Sequence, residues 1–208
     1  KGKKIIITGH TGFKGSWLSL WLCLLGARVV GISDNIPTSP SNYEILELKN
    51  KIENEYKLNI GTSLSEICEL INQLKPDFIF HLAAESLVKK SFENPIKAYT
   101  TNVLGTMNMC EAIRLADKEV VGVLITSDKV YKNQEWYWGY KETDTIGGHD
   151  PYSASKGMAE IGINSYFKSY FSNNSGKQIA SVRAGNVIGG GDWASDRIVP
   201  DCIQRWKD

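Results

Sequence analysis

Ile5, Ile6 and Ile7 run without polar interruption to Thr8 and then into Gly9-His10-Thr11-Gly12-Phe13-Lys14-Gly15, after which Ser16 to Leu25 has the apolar content of a helix. An unbroken β-branched run is the pattern of a strand buried on both faces. Three glycines between a strand and a helix let backbone N–H groups come close to a pyrophosphate, and the helix N-terminus adds a favourable dipole. A phosphate loop of the Walker A type is excluded, because it requires Gly, then Lys, then Ser or Thr, and here Lys14 precedes Gly15. The turn therefore predicts a dinucleotide ligand. A tight strand-to-helix turn with no ligand is the plainer alternative.

Five further apolar runs, Ala27–Ile32, Tyr56–Ile60, Asp77–Leu82, Val120–Thr126 and Gln178–Arg183, alternate with segments of helical spacing. One of those segments runs to Leu74 with Pro76 beyond it, and Ser63 with Glu66 three residues later has the form of a capping box. Regular alternation predicts an α/β fold of the Rossmann type, a doubly wound parallel sheet with ligands at the carboxyl ends of its strands. Ser33–Asn42 and Lys132–Asp150 read as linkers, the second as a candidate active-site loop. With 208 residues the chain accommodates one main domain.

Composition removes several classes of partner. Lysines and arginines number 24 against 23 acidic residues, with no long basic cluster, so neither nucleic acid nor an anionic membrane surface is expected. The apolar run Trp17–Leu25 is far short of the ~20 residues that cross a bilayer and reads as a buried helix. No secretory series opens the chain, which makes the cytoplasm the expected location, although without an initiator methionine the true start is not displayed. Cys23, Cys68, Cys110 and Cys202 lack metal-ligand spacing, so no metal is expected and the thiols read as core or inert groups.

Tyr152 and Lys156 are four apart at the start of a helical segment reaching about Phe171, which puts both on one helix face. A tyrosine titrates near ~10, so it needs a neighbouring cation to act as a base at neutral pH. The pair alone is weak evidence, since a solvated lysine beside a half-buried tyrosine has the same spacing.

Together with the glycine turn, however, this pair resembles the extended short-chain dehydrogenase/reductases. His81-Leu82-Ala83-Ala84, Asn102 within Thr101-Asn102-Val103-Leu104-Gly105-Thr106, and Ser127 match the same family. The resemblance implies a tetrad of Ser127, Tyr152, Lys156 and Asn102, with Asn102 holding the lysine through water. Asp128 and Lys129 directly after Ser127 resemble the CDP-glucose 4,6-dehydratases within it, as do Gly9 to Leu18, Trp136 to Tyr140 and Ser181 to Trp193. Glu85 and Val130 depart from that subfamily's pattern.

What the resemblance implies is specific. NAD would be the cofactor, held by Gly9, His10, Thr11, Gly12, Phe13, Lys14, Gly15, Asn59, Ile60, Leu82, Ala83, Ala84, Tyr152 and Lys156. Ser33 or Asp34 would meet the ribose, and Lys14 could tolerate a 2′-phosphate. His10 has satisfaction of a backbone group as its alternative. The substrate, CDP-glucose or a related nucleotide sugar, would meet Glu85, Ser86, Ser127, Arg183 and Asn186, over a floor of Trp136, Tyr137, Trp138 and Tyr140. Arg183 has burial in structural hydrogen bonds as its alternative, the aromatics a core patch under a loop, and Asp128 with Lys129 a surface ion pair. Tyr152 would take the C4 hydroxyl proton, Lys129 the C5 proton, and Asp128 would protonate the leaving C6 hydroxyl, with Glu135 or Glu142 keeping Asp128 protonated. Residues 1–185 would form the NAD-binding domain with its catalytic residues, and 186–208 the beginning of a substrate lobe whose remainder is missing. A homodimer through Asn102–Ala116 and Tyr152–Phe171, and a place in deoxysugar synthesis for O-antigen or lipopolysaccharide, complete the expectation. A sugar-nucleotide epimerase or reductase, and a non-catalytic NAD-binding module, are the competing readings; Asp128 beside Lys129 argues against the first.

Overall fold

The computed structural model describes residues 1–173 and 176–206. In chain order it has β1 (Lys4–Thr8), α1 (Phe13–Leu24), β2 (Arg28–Ser33), α2 (Asn42–Ile45), β3 (Asn54–Lys57), α3 (Leu64–Leu74) and β4 (Phe78–His81). Then follow α4 (Val88–Glu93), α5 (Pro95–Tyr99), a π-helical turn (Thr100–Leu104), α6 (Gly105–Leu115), β5 (Val120–Ile125), α7 (Pro151–Tyr166), a second π-helical turn (Phe167–Phe171), β6 (Lys177–Val182) and α8 (Ile198–Arg205). The six strands form one parallel sheet in the order β3-β2-β1-β4-β5-β6. Strand order reverses between β1 and β4, which is where open α/β sheets hold ligands.

Strand alternation divides the core between the two faces. Ile6, Val30, Ile79 and Leu124 point to one side, where Ile67, Leu70 and Ile71 of α3, Met109 and Ile113 of α6, and Ile163 of α7 cover them. Ile5, Ile7 and Val29 point to the other, under Leu18 and Leu22 of α1 and Tyr43, Leu48 and Ile52. Each buried Ile or Leu contributes roughly 1.5–3 kcal/mol through removal from water, so neither layer is dispensable.

Three expectations need correction. The Trp17–Leu25 run is not a buried helix: Trp21, Leu24 and Leu25 are exposed, and the residues α1 buries are Gly15, Ser16 and Ser19. Gly15 brings the start of α1 against the Gly9–His10 turn, Leu18 and Leu22 face the sheet, and Trp17 and Trp21 point outward. The third strand ends at Lys57 rather than Ile60. Asn59 folds the chain away, its carbonyl accepting from Thr62 and Ser63 N–H and its side chain from Gly61 N–H. Ser63 does occupy the N-cap position of α3, but its side chain makes no cap hydrogen bond. Of the cysteines, Cys110 is buried and its thiol is pushed up to about 12, chiefly by desolvation; Cys23 and Cys68 are half-buried and Cys202 is exposed.

Candidate active site

A cleft of about 1270 Å³ opens at the carboxyl ends of the strands, over the β1–β4 reversal. Its floor is the glycine turn. Gly9 sits at φ +73°, and a Cβ there would lie 2.7 Å from the Ala83 amide nitrogen, so only glycine lets the β1 and β4 ends come this close. Gly12 caps α1, leaving the amides of Phe13, Lys14 and Gly15 without partners in the preceding turn. That backbone cradle fits a pyrophosphate. Thr11, Ser33, Asp34, Asn59, Ile60, Leu82, Ala83, Ala84, Glu85 and Ser86 line the same cleft.

His10 does not join them. Its buried ring turns behind the turn, with Nε2 3.2 Å from Glu55, Nδ1 3.0 Å from Ser33 Oγ and an edge contact to Tyr43. Gly31 leaves the space that the ring fills. A carboxylate 45 residues away in sequence decides this orientation.

Beneath the cleft, the β1–β4 register sets Thr8 against His81. His81 Nδ1 is 2.7 Å from Thr8 Oγ1, and its Nε2 is 3.2 Å from Thr106 Oγ1, which donates to the Asn102 carbonyl at 2.7 Å. Desolvation, aided by the charge of Lys156, drives the His81 pKa down to about 3. Asn102 is fully buried in the first π-helical turn. Its amide brackets Glu85, accepting from the N–H at 2.9 Å and donating to the carbonyl at 3.0 Å, and donates to Ser155 Oγ at 2.9 Å.

Asp150 starts α7 by accepting the Ser153 amide and hydroxyl, with Pro151 in the first turn, and this delivers Tyr152 into the cleft. Ser127, Lys129 and Tyr152 line the cleft together. Ser127 is held from behind, because the flanking N–H groups of Thr126 and Asp128 donate to the Val182 and Ala184 carbonyls. Burial raises the Tyr152 phenol above its usual value; a Ser127 hydrogen bond pulls it down, Asp128 pushes it up, and Arg197 and Lys129 pull it down. Lys156 is buried with its Nζ 3.4 Å from the Ile125 carbonyl. Burial, reinforced by Lys14 and opposed by Glu160, lowers its pKa to about 8. Asp128 and Lys129 form an ion pair at 3.2 Å, both side chains close to half exposed. Among the described residues, no hydrogen bond or ion pair brings Glu135 or Glu142 to Asp128.

Arg183 is the second displaced residue. Its guanidinium donates to Glu160 at 3.1 Å and to the Glu142 carbonyl at 3.3 Å, and lies over the Tyr131 ring; Asn186 does line the cleft. Nor do the aromatics floor the pocket. Trp136 makes tilted ring contacts with Trp138 and Tyr140, Tyr140 stacks on Tyr131, and Tyr137 is fully exposed. No described residue of 132–150 lines the cleft. Two groups outside the expected site residues do contribute. Arg197 lines the cleft, and with burial ahead of it lowers the pKa of Lys14. Trp17 donates its indole N–H to the Gly190 carbonyl at 2.8 Å, tying α1 to the Gly189–Gly191 wall.

With this geometry in view, the family model described as GDP-mannose 4,6 dehydratase matches residues 6–176, from β1 to the edge of β6. The chain belongs to the GDP-mannose 4,6-dehydratase family. Among its curated relatives, this member of the family is 46% identical to a CDP-glucose 4,6-dehydratase of Salmonella typhimurium, over 100% of this chain and 58% of that one. The chain thus spans less than two thirds of that relative's length. In fold, the family member resembles a UDP-glucose 4-epimerase of Thermotoga maritima solved with UDP-glucose, at 21% identity and TM-score 0.82, over 97% of this chain and 62% of that one. It also resembles a UDP-glucose 4-epimerase of Brucella ovis solved with NAD, at 22% identity and TM-score 0.73, over 89% and 52%. Among the described residues, no helix of this family member is long and apolar enough to cross a membrane, and no cluster of ligands for a metal occurs.

Proposed function

We propose that the protein carrying this chain is a CDP-glucose 4,6-dehydratase that holds NAD. The observation that carries the reading is the Asp128–Lys129 pair immediately beyond Ser127, with Lys129, Ser127 and Tyr152 in one cleft wall. An acid and a base next to the hydroxyl pair are what elimination of water requires and what transfer at C4 alone does not. The 46% identity to the Salmonella enzyme supports the nucleotide base, and the solved neighbour with NAD supports the cofactor.

NAD would rest on the Gly9–Gly15 cradle between Ser33 or Asp34 and Ala83, where it supplies the hydride acceptor and donor. Ser127 donates to the C4 oxygen of the glucose unit and Tyr152 takes the C4 proton; the Ser127 hydrogen bond, Arg197 and Lys129 must together outweigh the burial that holds the phenol up. Lys129, once neutral, takes the C5 proton made acidic by the C4 ketone. Asp128, once protonated, delivers its proton to the C6 hydroxyl, which leaves as water. Half exposure of both groups means that substrate itself must desolvate them. Residues from Asn186 onward would begin the lobe that binds the nucleotide. A second copy would cover exposed Leu104, Met158 and Ile161, and a cytoplasmic location accords with a nucleotide-sugar substrate.

The test is incubation of the full protein with CDP-glucose, UDP-glucose, dTDP-glucose and GDP-mannose, read by mass and proton NMR. The expected result is loss of one water from CDP-glucose, with a new C6 methyl signal. A C4 epimer with unchanged mass, or stoichiometric NAD binding without any turnover, overturns it.

A further inference from the structure

Glu160 is almost completely buried on α7, eight residues after Tyr152 and four after Lys156, yet none of the roles above uses it. Its Oε1 accepts the Thr126 hydroxyl, the residue directly before Ser127. Its Oε2 accepts from Arg183 at 3.1 Å and from Ser181 at 3.2 Å. Arg183 in turn covers Tyr131 and holds the Glu142 carbonyl, so it contacts the 131–146 segment at its start and again in its second half. Burying a carboxylate and a guanidinium is expensive, and it is tolerated where both are fully hydrogen-bonded.

We propose that Glu160 is a positioning residue of the reaction: one carboxylate oxygen fixes the Thr126–Ser127 turn against α7, and the other, through Arg183 and Tyr131, fixes the 131–146 segment to the same helix. The proposal rests on the dehydratase reading for its kinetic arm and on geometry alone for its second arm. Because Tyr152 and Ser127 come from different elements, their spacing is set by whatever joins α7 to the β5 end, and Glu160 joins them directly. Its charge also faces Lys156. The other groups that face these two are Lys14 from α1, neutral His81 from β4, Thr126 and the Ile125 carbonyl at the β5 end, and Ser181 and Arg183 at the β6 end.

The experiment is Glu160→Gln in the full protein. The expected result is a fall in kcat of about 10- to 100-fold, the scale of a small misplacement of reacting groups, with KM for CDP-glucose and NAD affinity within about twofold of wild type. The alkaline limb of the kcat profile should move to lower pH, since the negative charge that opposes Lys156 deprotonation is gone. Carbon-13 NMR of labelled lysine, which needs no substrate, should show the Lys156 titration midpoint lowered. Unchanged kcat together with an unchanged Lys156 titration overturns the proposal. If wild type itself fails to turn over, the dehydratase reading falls and the lysine titration alone decides this one. Should Glu160→Gln fail to fold, Thr126→Val removes only the hydroxyl on Glu160 and leaves the Arg183 pair in place. It should lower kcat similarly without moving the pH limb, and wild-type kcat in that variant overturns the proposal.

Discussion

Thr8 donates its hydroxyl proton to Nδ1 of His81, and the direction of that bond is fixed by its neighbours. Thr106 gives its own proton to the Asn102 carbonyl, so Thr106 Oγ1 must accept from His81 Nε2–H. Nδ1 is then an acceptor, Thr8 donates to it at 2.7 Å, and the Thr8 oxygen is left to receive the Ala83 amide at 3.1 Å. The chain of donors from the cofactor floor to Asn102 exists only with neutral imidazole.

A pH dependence of stability follows. The folded-state pKa of His81 is depressed to about 3 from 6.5, so between these values the unfolded chain binds a proton that the folded one refuses. Stability from this group is therefore full above pH 6.5 and declines as pH falls toward 3, by about 1 kcal/mol per pH unit. Urea midpoints measured across that range should fall with acid, and His81→Gln should flatten the part of the slope that one proton accounts for. Equal slopes in both proteins would refute the assignment.

Gly9→Ala is expected to weaken NAD binding sharply. The added Cβ meets the Ala83 backbone at 2.7 Å and the residue keeps φ near +73°, a conformation costing about 1–3 kcal/mol for a side-chain-bearing residue. Calorimetric titration with NAD reads it, beside a thermal midpoint that should also drop. Wild-type NAD affinity would place the pyrophosphate elsewhere.

Tyr152→Phe keeps the ring and removes the hydroxyl. Turnover should fall by at least ~10² while NAD affinity stays within a few-fold, and melting should change little, since the half-buried ring is kept and only its hydroxyl is lost. Activity near wild type would remove Tyr152 from the reaction.

Lys129→Met separates C4 chemistry from elimination. CDP-glucose should still bind, the near-ultraviolet band of reduced nicotinamide should grow in and persist, and solvent deuterium should stop entering C5, with product formation down ~10² to 10⁴. Normal turnover would make Lys129 only the exposed partner of Asp128. Failure of the band to form would assign it to substrate or cofactor placement.

What could be read from the sequence was whatever is decided by near neighbours. Ile5 to Gly15 declares strand, turn and helix in one run, and the Tyr152–Lys156 spacing fixes a shared face. For His10 and Arg183 the sequence leaves a ligand contact and a structural role both open, because the choice is made by Glu55 and Glu160, carboxylates 45 and 23 residues away. The outward face of α1 has another reason: Trp17 and Trp21 look like core by hydropathy, while Leu18 and Leu22 take the contact with the sheet and Gly15 packs against the Gly9–His10 turn. The Thr8–His81 link had a signal, since both end their strands with a polar residue that parallel pairing brings level.

The pairing of β5 with β6 makes the Ser127 turn depend on the edge of the sheet. Every strand pair is parallel, so none closes through a hairpin and each joins residues far apart in sequence. The Ser127 turn is complete only when Val182 and Ala184 accept the Thr126 and Asp128 amides at that edge. Fraying of β6 is thus expected to loosen the Ser127 turn while β1 and β4 stay paired, so amide exchange at Thr126 and Asp128 should outpace exchange at Leu82, whose N–H is held by the Thr8 carbonyl.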